Sequence, residues 1–418
     1  MIGAPTLELD YERMRTAGKD LLSLAFIDSR NRSLRWAGAL AETLGRDALR
    51  WLADDAPRHE LEPPLWSIGH LGWFQEYWIA RNVQRRRGEA AKPRQPRLAS
   101  ILPEADRWFD PAASTREARW SSAAELPDLP MLRSYLVDTL ETTLELLDAE
   151  PSEDDPSLFF YRLAVLHEDM AAESFAVLAQ TIGVAPGPGP MPALREPPAL
   201  AQAPLFFPAT RWQLGFSGPG FAFDHERAAH QVLLPEFEID AQAVSWAQYG
   251  EFVEDGGYDD PAHWSAAGQA WLSRTGRRTP RHVEQMRHGV LQRRFGQLTR
   301  LPAGAAATHL SHHEAEAWCR WAGRRLPAEV EWEAAAHMGA KRGFRAGAVH
   351  EWTATTFAPY PGYVPGPWAD ASAPFFGTTK VLRGASPATP LRLSGAKLRR
   401  FALPDDDAGF FGFRSCAV

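Results

Sequence analysis

The 418 residues carry a formal net charge of −7, with 45% hydrophobic and 23% charged positions, an ordinary globular composition long enough for two or three domains. The acidic balance excludes a nucleic-acid footprint, and only two cysteines, Cys319 and Cys416, exclude a disulfide framework or a cysteine-built zinc site. No apolar run of about 18 residues is present, which excludes a membrane-spanning helix, and the start Met1-Ile2-Gly3-Ala4-Pro5 lacks the pattern of a secretory leader, so a cytoplasmic, soluble protein is expected.

The first 185 residues read as a four-helix bundle. A helix is expected over 11–44, broken near Asp28, and a second over 65–81 behind Pro63-Pro64, a favoured helix entrance. Trp66, His70, Trp73 and Tyr77 share one stripe of that second helix, and Arg85-Arg86-Arg87 reads as a basic last turn. Leu132, Leu136, Leu140, Thr143 and Leu147 mark a third helix, and a fourth over 158–182 aligns Leu163, His167, Met170 and Ser174. Bundles of this kind place metal sites between facing helices.

Residues 186–209 are dense in proline, from Pro186 to Pro208, which argues for a semi-rigid linker and against helix or central strand. Over 210–418 the texture turns to short strands, at 232–234 and 237–239, and short helices, at 308–323 and 329–337. No internal repeat is evident, and the whole reads as α+β. Sixteen Trp and 22 Phe fit either the core of a loop-rich fold or aromatic faces for a quaternary ammonium group; composition alone does not choose.

His70 and His167 sit in apolar stripes of different helices, where an imidazole needs a hydrogen-bond partner or a metal. Spacing alone leaves both readings open. The run Gly69-His70-x-x-Trp73-Phe74-x-Glu76, followed by His167-Glu168, resembles the DinB-like domain of ergothioneine-type sulfoxide synthases. That resemblance implies non-haem Fe(II) held by one histidine of the first motif and two of a His-Glu-x-x-His motif. Residues four apart return to nearly the same helix face after 400° of rotation. Here the second place of that pair reads Ala171. His70 and His167 therefore remain as metal ligands, and the third position falls to water, substrate or an unidentified side chain.

The run from Glu314 to Glu333, then Glu351-Trp352-Thr353, Val381-Leu382-Arg383-Gly384-Ala385-Ser386 and Gly412-Phe413-Arg414, resembles the formylglycine-generating fold, a C-type-lectin-like domain. Cys319 and Cys416 do not match the close pair with which those enzymes bind copper, so copper chemistry is not expected. A helical domain followed by this domain is the sulfoxide-synthase order. The stretches 22–25, 28–31, 73–82 and 412–417 resemble the selenium-using branch of that family. This implies hercynine (Nα-trimethylhistidine) as acceptor, a selenosugar as donor and O2 as oxidant, with C–Se bond formation leading to selenoneine.

Thiol-using relatives anchor γ-glutamylcysteine with an acidic and a basic residue after an Arg-Asn-aromatic motif. In Arg399-Arg400-Phe401-Ala402-Leu403-Pro404-Asp405-Asp406-Asp407 those places read Ala402 and Asp406, and the three aspartates also suit a solvated turn. Phe401, Phe410 and Phe411 are the aromatic candidates for the hercynine cation, with Met170 and Arg400 as further substrate contacts. No catalytic proton donor is assigned; Tyr360 and Tyr363 are merely nearest to the family's tyrosine. Two alternatives stand beside this: a thiol-using sulfoxide synthase, and an iron-free betaine-binding protein.

Overall fold

The computed structural model describes residues 9–185 and 203–418, apart from 46–47, 53–56, 58–59, 94 and 288. Most of the proline-dense stretch, 186–202, thus lies outside the described residues. The chain divides into two compact units, one formed by Met1–Met191 with Pro219–Phe221 and Thr389–Leu393, the other by the remainder.

The first unit is helical. In place of one helix over 11–44 there are two, α1 (Tyr11–Arg15) and α2 (Lys19–Leu44), and the break falls at 16–18 rather than near Asp28. Gly18 enters α2 in extended backbone, close against Glu153, whose carboxylate would lie 2.4 Å from an added Cβ. Asp28 instead stays within the helix, paired four residues on with Arg32 at 3.1 Å. α3 (Pro64–Gln75) opens on its proline and continues as a π-helical turn, Glu76–Ala80. The arginine run does not close that helix: Arg85–Ala90 is a separate 3-10 turn. Arg85 and Arg86 pair there with buried Glu150 instead of a helix terminus. Asp128 and Asp154 cap α4 (Leu129–Asp148) and α5 (Asp155–Ile182), each accepting the backbone N–H three residues on. α2 and α3 each pack on both α4 and α5, so the four long helices share a core that includes Phe26, Leu71, Leu136 and Leu163.

The second unit mixes small sheets with short helices. β1 (Leu205–Phe207) pairs antiparallel with β4 (Phe237–Ile239), so the last part of the proline-dense stretch is a strand. Pro204 and Pro208 flank it, where a missing N–H costs no ladder bond. β2 (Thr210–Leu214) pairs with β3 (His230–Leu234), and β5 (Val283–Gln285), β6 (Val290–Arg294) and β7 (Gln297–Leu301) form a meander. The main sheet orders β10 (Arg400–Ala402), β9 (Lys380–Ala385), β8 (Val349–Thr356) and β11 (Phe411–Phe413), with β11 parallel to β8.

Around these lie α6 (Trp246–Glu254), α7 (Ala266–Thr275), α8 (His312–Trp321) and α9 (Glu329–Gly339). α8 begins after residue 308 because His309 holds φ at +62° and Ser311 caps the helix, exchanging hydrogen bonds with Glu314 of 2.7 and 3.3 Å. Trp246, Trp271, Trp318, Trp352 and Phe413 build one core, which accounts for much of the aromatic content. The signature polar residues brace it: the Trp332 indole donates to Glu351 at 2.8 Å, Arg414 holds the same carboxylate at 2.7 Å, and Arg383 reaches Glu329 and Glu333 at 3.1 and 3.2 Å.

Candidate active site

α3 and α5 bring His70 and His167 together, with ring centroids 5.2 Å apart and planes at 68°. Trp66 and Trp73 both stack with His70, at 4.8 and 5.4 Å, and Phe74 lies flat on His167 at 3.5 Å. The His70 Nδ1 lies 2.9 Å from the Phe109 carbonyl. A carbonyl only accepts, so Nδ1 carries the proton and Nε2 keeps its lone pair. Burial pushes His70 down to about 4, against the raising effect of the Phe109 bond and with help from the Arg119 charge. Burial and the neighbouring His70 lower His167 well below the usual histidine range. Both rings are therefore neutral at pH 7, the state that ligates a metal, and one is oriented by an outer hydrogen bond as metal-binding histidines are.

The motif around His70 explains that orientation. A Cβ on Gly69 would fall 2.2 Å from the Phe109 ring, and one on Gly72 would fall 2.7 Å from the Tyr135 ring. The two glycines thus let the 105–109 segment and α4 approach α3. Trp73 and Arg81 both donate to Asp106, at 2.7 Å and 2.6 Å. Glu76 accepts from the Tyr135 and Ser100 hydroxyls and the Ile101 N–H at 2.6–2.7 Å, so it supports the fold.

On α5 the residues beside His167 are already engaged. Glu168 forms a buried pair with Arg30 at 2.8 Å, and Glu173 accepts from Thr389 at 2.7 Å. Among the described residues no third His, Cys, Asp or Glu groups with His70 and His167, and Ala171 offers no donor. Met170 lies one turn beyond His167, partly exposed on the same stripe. Sequence reading missed Arg392. It binds Asp169 at 2.6 Å, Asp28 at 2.7 Å and Ser29 at 3.0 Å, all in the first unit. A charge flanked by leucines in Leu391-Arg392-Leu393 was the available signal.

The aromatic candidates of the second unit do not form one group. Phe401, in edge strand β10, stacks on Phe357 at 4.1 Å beside Phe375 at 5.2 Å, and Arg400 precedes it, half-buried. Phe411 lies in β11 at the opposite edge of the same sheet, against Trp352 at 5.2 Å. Phe410 packs on His309 at 5.0 Å and lines a cavity of about 440 Å³ with Trp246, Gln292, Arg294 and Phe344. The Tyr360 hydroxyl is tied to Glu329 and Arg383, and Tyr363 donates to Asp224. Cys319 and Cys416 are buried and free. No described helix is long and apolar enough to cross a membrane.

Fold and site together define a mixed α and β protein in which paired neutral imidazoles in a helical unit share a chain with a C-type-lectin-like unit. Residues 205–345 match the family model of the sulfatase-modifying factor enzyme 1-like domain. The chain is 31% identical to hercynine oxygenase of Mycolicibacterium smegmatis, covering 80% of this chain and 87% of that protein. It is 28% identical to hercynine oxygenase of Mycobacterium tuberculosis, over 85% and 90%. Formylglycine-generating enzyme of Bos taurus is 30% identical over 35% of this chain and 42% of that protein. The chain belongs to the hercynine oxygenase family and is an oxidoreductase.

Proposed function

We propose that this oxidoreductase is a selenoneine synthase, joining hercynine to a selenosugar with O2 and non-haem Fe(II). The observation that supports selenium over a peptide thiol is the stretch 399–407. Ala402 and Asp406 stand where a zwitterionic peptide needs an acid and a base. The neighbouring acids are engaged: Asp405 pairs with Arg274 at 2.6 Å, and Asp407 with Arg277 and Arg281 at 2.7 and 2.8 Å. A neutral sugar needs neither anchor.

His70 and His167 are the residues that would hold the iron, on a DinB-like bundle, with the place of a third imidazole left to water or substrate. The ion would supply a site for the oxidising power of O2. The rest falls to the chain itself. The Phe109 carbonyl keeps the His70 proton on Nδ1, and Trp66, Trp73 and Phe74 pack their rings against the partly exposed imidazoles. Phe401 with Phe357 and Phe375 offers faces to a trimethylammonium group, and Met170, Arg400, Phe410 and Phe411 remain further contact candidates. Overall, hercynine gives up its imidazole C–H and the donor its Se–H. One oxygen atom ends on selenium and the other leaves as water; the sugar is then lost from the selenoxide as the Se–sugar bond breaks, and two electrons from an external thiol, which becomes a disulfide, reduce the selenium to selenoneine.

The test is turnover of the iron-loaded protein with hercynine, O2 and either a selenosugar, γ-glutamylcysteine or cysteine, with products identified by mass spectrometry. Preference for the selenosugar supports the proposal. Equal or better turnover with a thiol returns the chain to a thiol-using sulfoxide synthase. Ala171 also motivates an iron-free, betaine-binding reading, which the absence of bound iron and of turnover with any donor would favour.

A further inference from the structure

A second cluster of metal-ligand chemistry lies in the other unit, independent of the reading above. α8 opens with His312 and His313, and Glu316 follows one turn on. One ligand atom from each of the three lies within 4.8 Å of the others. His312 Nδ1 is 3.9 Å from a Glu316 oxygen, near the roughly 3.4 Å edge that tetrahedral zinc with bonds of about 2.1 Å requires. We propose that His312, His313 and Glu316 form a divalent-metal site suited to zinc.

The outer contacts of both imidazoles carry the argument. His312 Nε2 lies 3.2 Å from the Thr353 carbonyl, and His313 Nε2 lies 2.8 Å from the Asp405 carboxylate. Carbonyl and carboxylate oxygens only accept, so each ring carries its proton on Nε2 and leaves the Nδ1 lone pair for another partner. Metal-ligating histidines are oriented in this way, by a carbonyl or carboxylate on the far nitrogen. His313 is 6% exposed, and its Nδ1 is buried without any hydrogen-bond partner. A buried polar atom left unmet is costly, and a metal at this position satisfies it.

Glu316 brings a hard anionic donor to two imidazoles, a set that leaves zinc a fourth position for water. The positive end of the α8 dipole opposes a cation at this place. The carboxylates of Glu316 and Asp405 answer it with opposite charge. Bound metal would fasten the first turn of α8 to the 403–407 loop through His313 and Asp405.

The experiment uses the full-length chain stripped with a chelator and carrying H70A/H167A, so that the other pair of histidines is silent. Zinc binding is read by calorimetry and metal analysis, and cobalt by its visible absorption bands. One equivalent of zinc, with a higher melting temperature when loaded, is expected. H313Q in the same background should abolish it. E316Q alters a partly exposed side chain, so it carries the same test if H313Q does not fold, and should weaken binding on the order of tenfold or more. No zinc bound in the H70A/H167A chain overturns the proposal, as does zinc binding that survives H313Q or E316Q unchanged.

Discussion

At position 171 a methyl group stands four residues beyond His167, on the face an imidazole would share with it. Under the iron reading, A171H should raise ferrous affinity by about tenfold or more, comparable to the 10–100-fold effects of supporting residues around metal ligands. If the native protein leaves that place for its donor, selenosugar-dependent oxygen uptake should fall while iron stoichiometry rises. Unchanged iron affinity would mean that residue 171 does not face the metal. Arg392 poses a different residue-scale question. Its guanidinium and the Asp169 carboxylate are both buried, with side chains 3% and 0% exposed. R392M takes from Asp169 its nearest cation and leaves it Arg32 at 3.5 Å and the Ser29 hydroxyl at 2.7 Å, so it should cost about 3 kcal/mol, the low end for breaking a buried pair, measured by urea unfolding. The double variant R392M/D169N should recover part of that loss, because it removes the buried carboxylate charge along with its partner.

The elements respond to glycine according to what approaches them. On α3, G69A drives a methyl group into the Phe109 ring, and overpacking of this kind costs about 1–3 kcal/mol. The same displacement pulls the Phe109 carbonyl away from His70, so metal affinity should fall together with the melting temperature. Gly250 in α6 is the contrast. An added Cβ there meets nothing within 4 Å, and its backbone is not left-handed. G250A should therefore stabilise by about 0.5–1 kcal/mol through helix propensity. If both variants melt together, close packing is not what keeps glycine at 69.

For the molecule as a whole, acid should act through histidines folded neutral. Burial, with Arg281, Arg277 and Arg293 adding, pushes His282 down to about 3, and burial holds His309 well below the usual range. Unfolded, each titrates near 6.5. Between about pH 6.5 and 3 the unfolded chain binds more protons, so the stability present above pH 6.5 is lost as pH falls through that window. H282Q should lose less stability than the parent between pH 7 and 5, by on the order of 1–2 kcal/mol. Chemical denaturation at several pH values checks this; identical pH slopes would show that His282 charges freely in the folded state.

Much of this protein was written locally. The proline entrance of α3 and 3.6-residue periodicity placed the four long helices, because each signal acts within a turn or two of its residue. The same periodicity set His70 and His167 on inward stripes, and the later motifs marked the residues that brace the second unit. Local signals went astray where a distant contact ruled. The first helix restarts at Lys19, whose N–H donates at 3.1 Å to Glu153 from just before α5, and Arg85 and Arg86 turn to Glu150. Tertiary structure alone decided that Phe401 and Phe411 lie at opposite edges of one sheet, since strand order is not a property of any strand's own sequence. It also decided that Arg392 meets Asp169 across 223 residues of chain. No periodicity reaches that far: burying two opposite charges requires the whole unit to close around them before either can leave water.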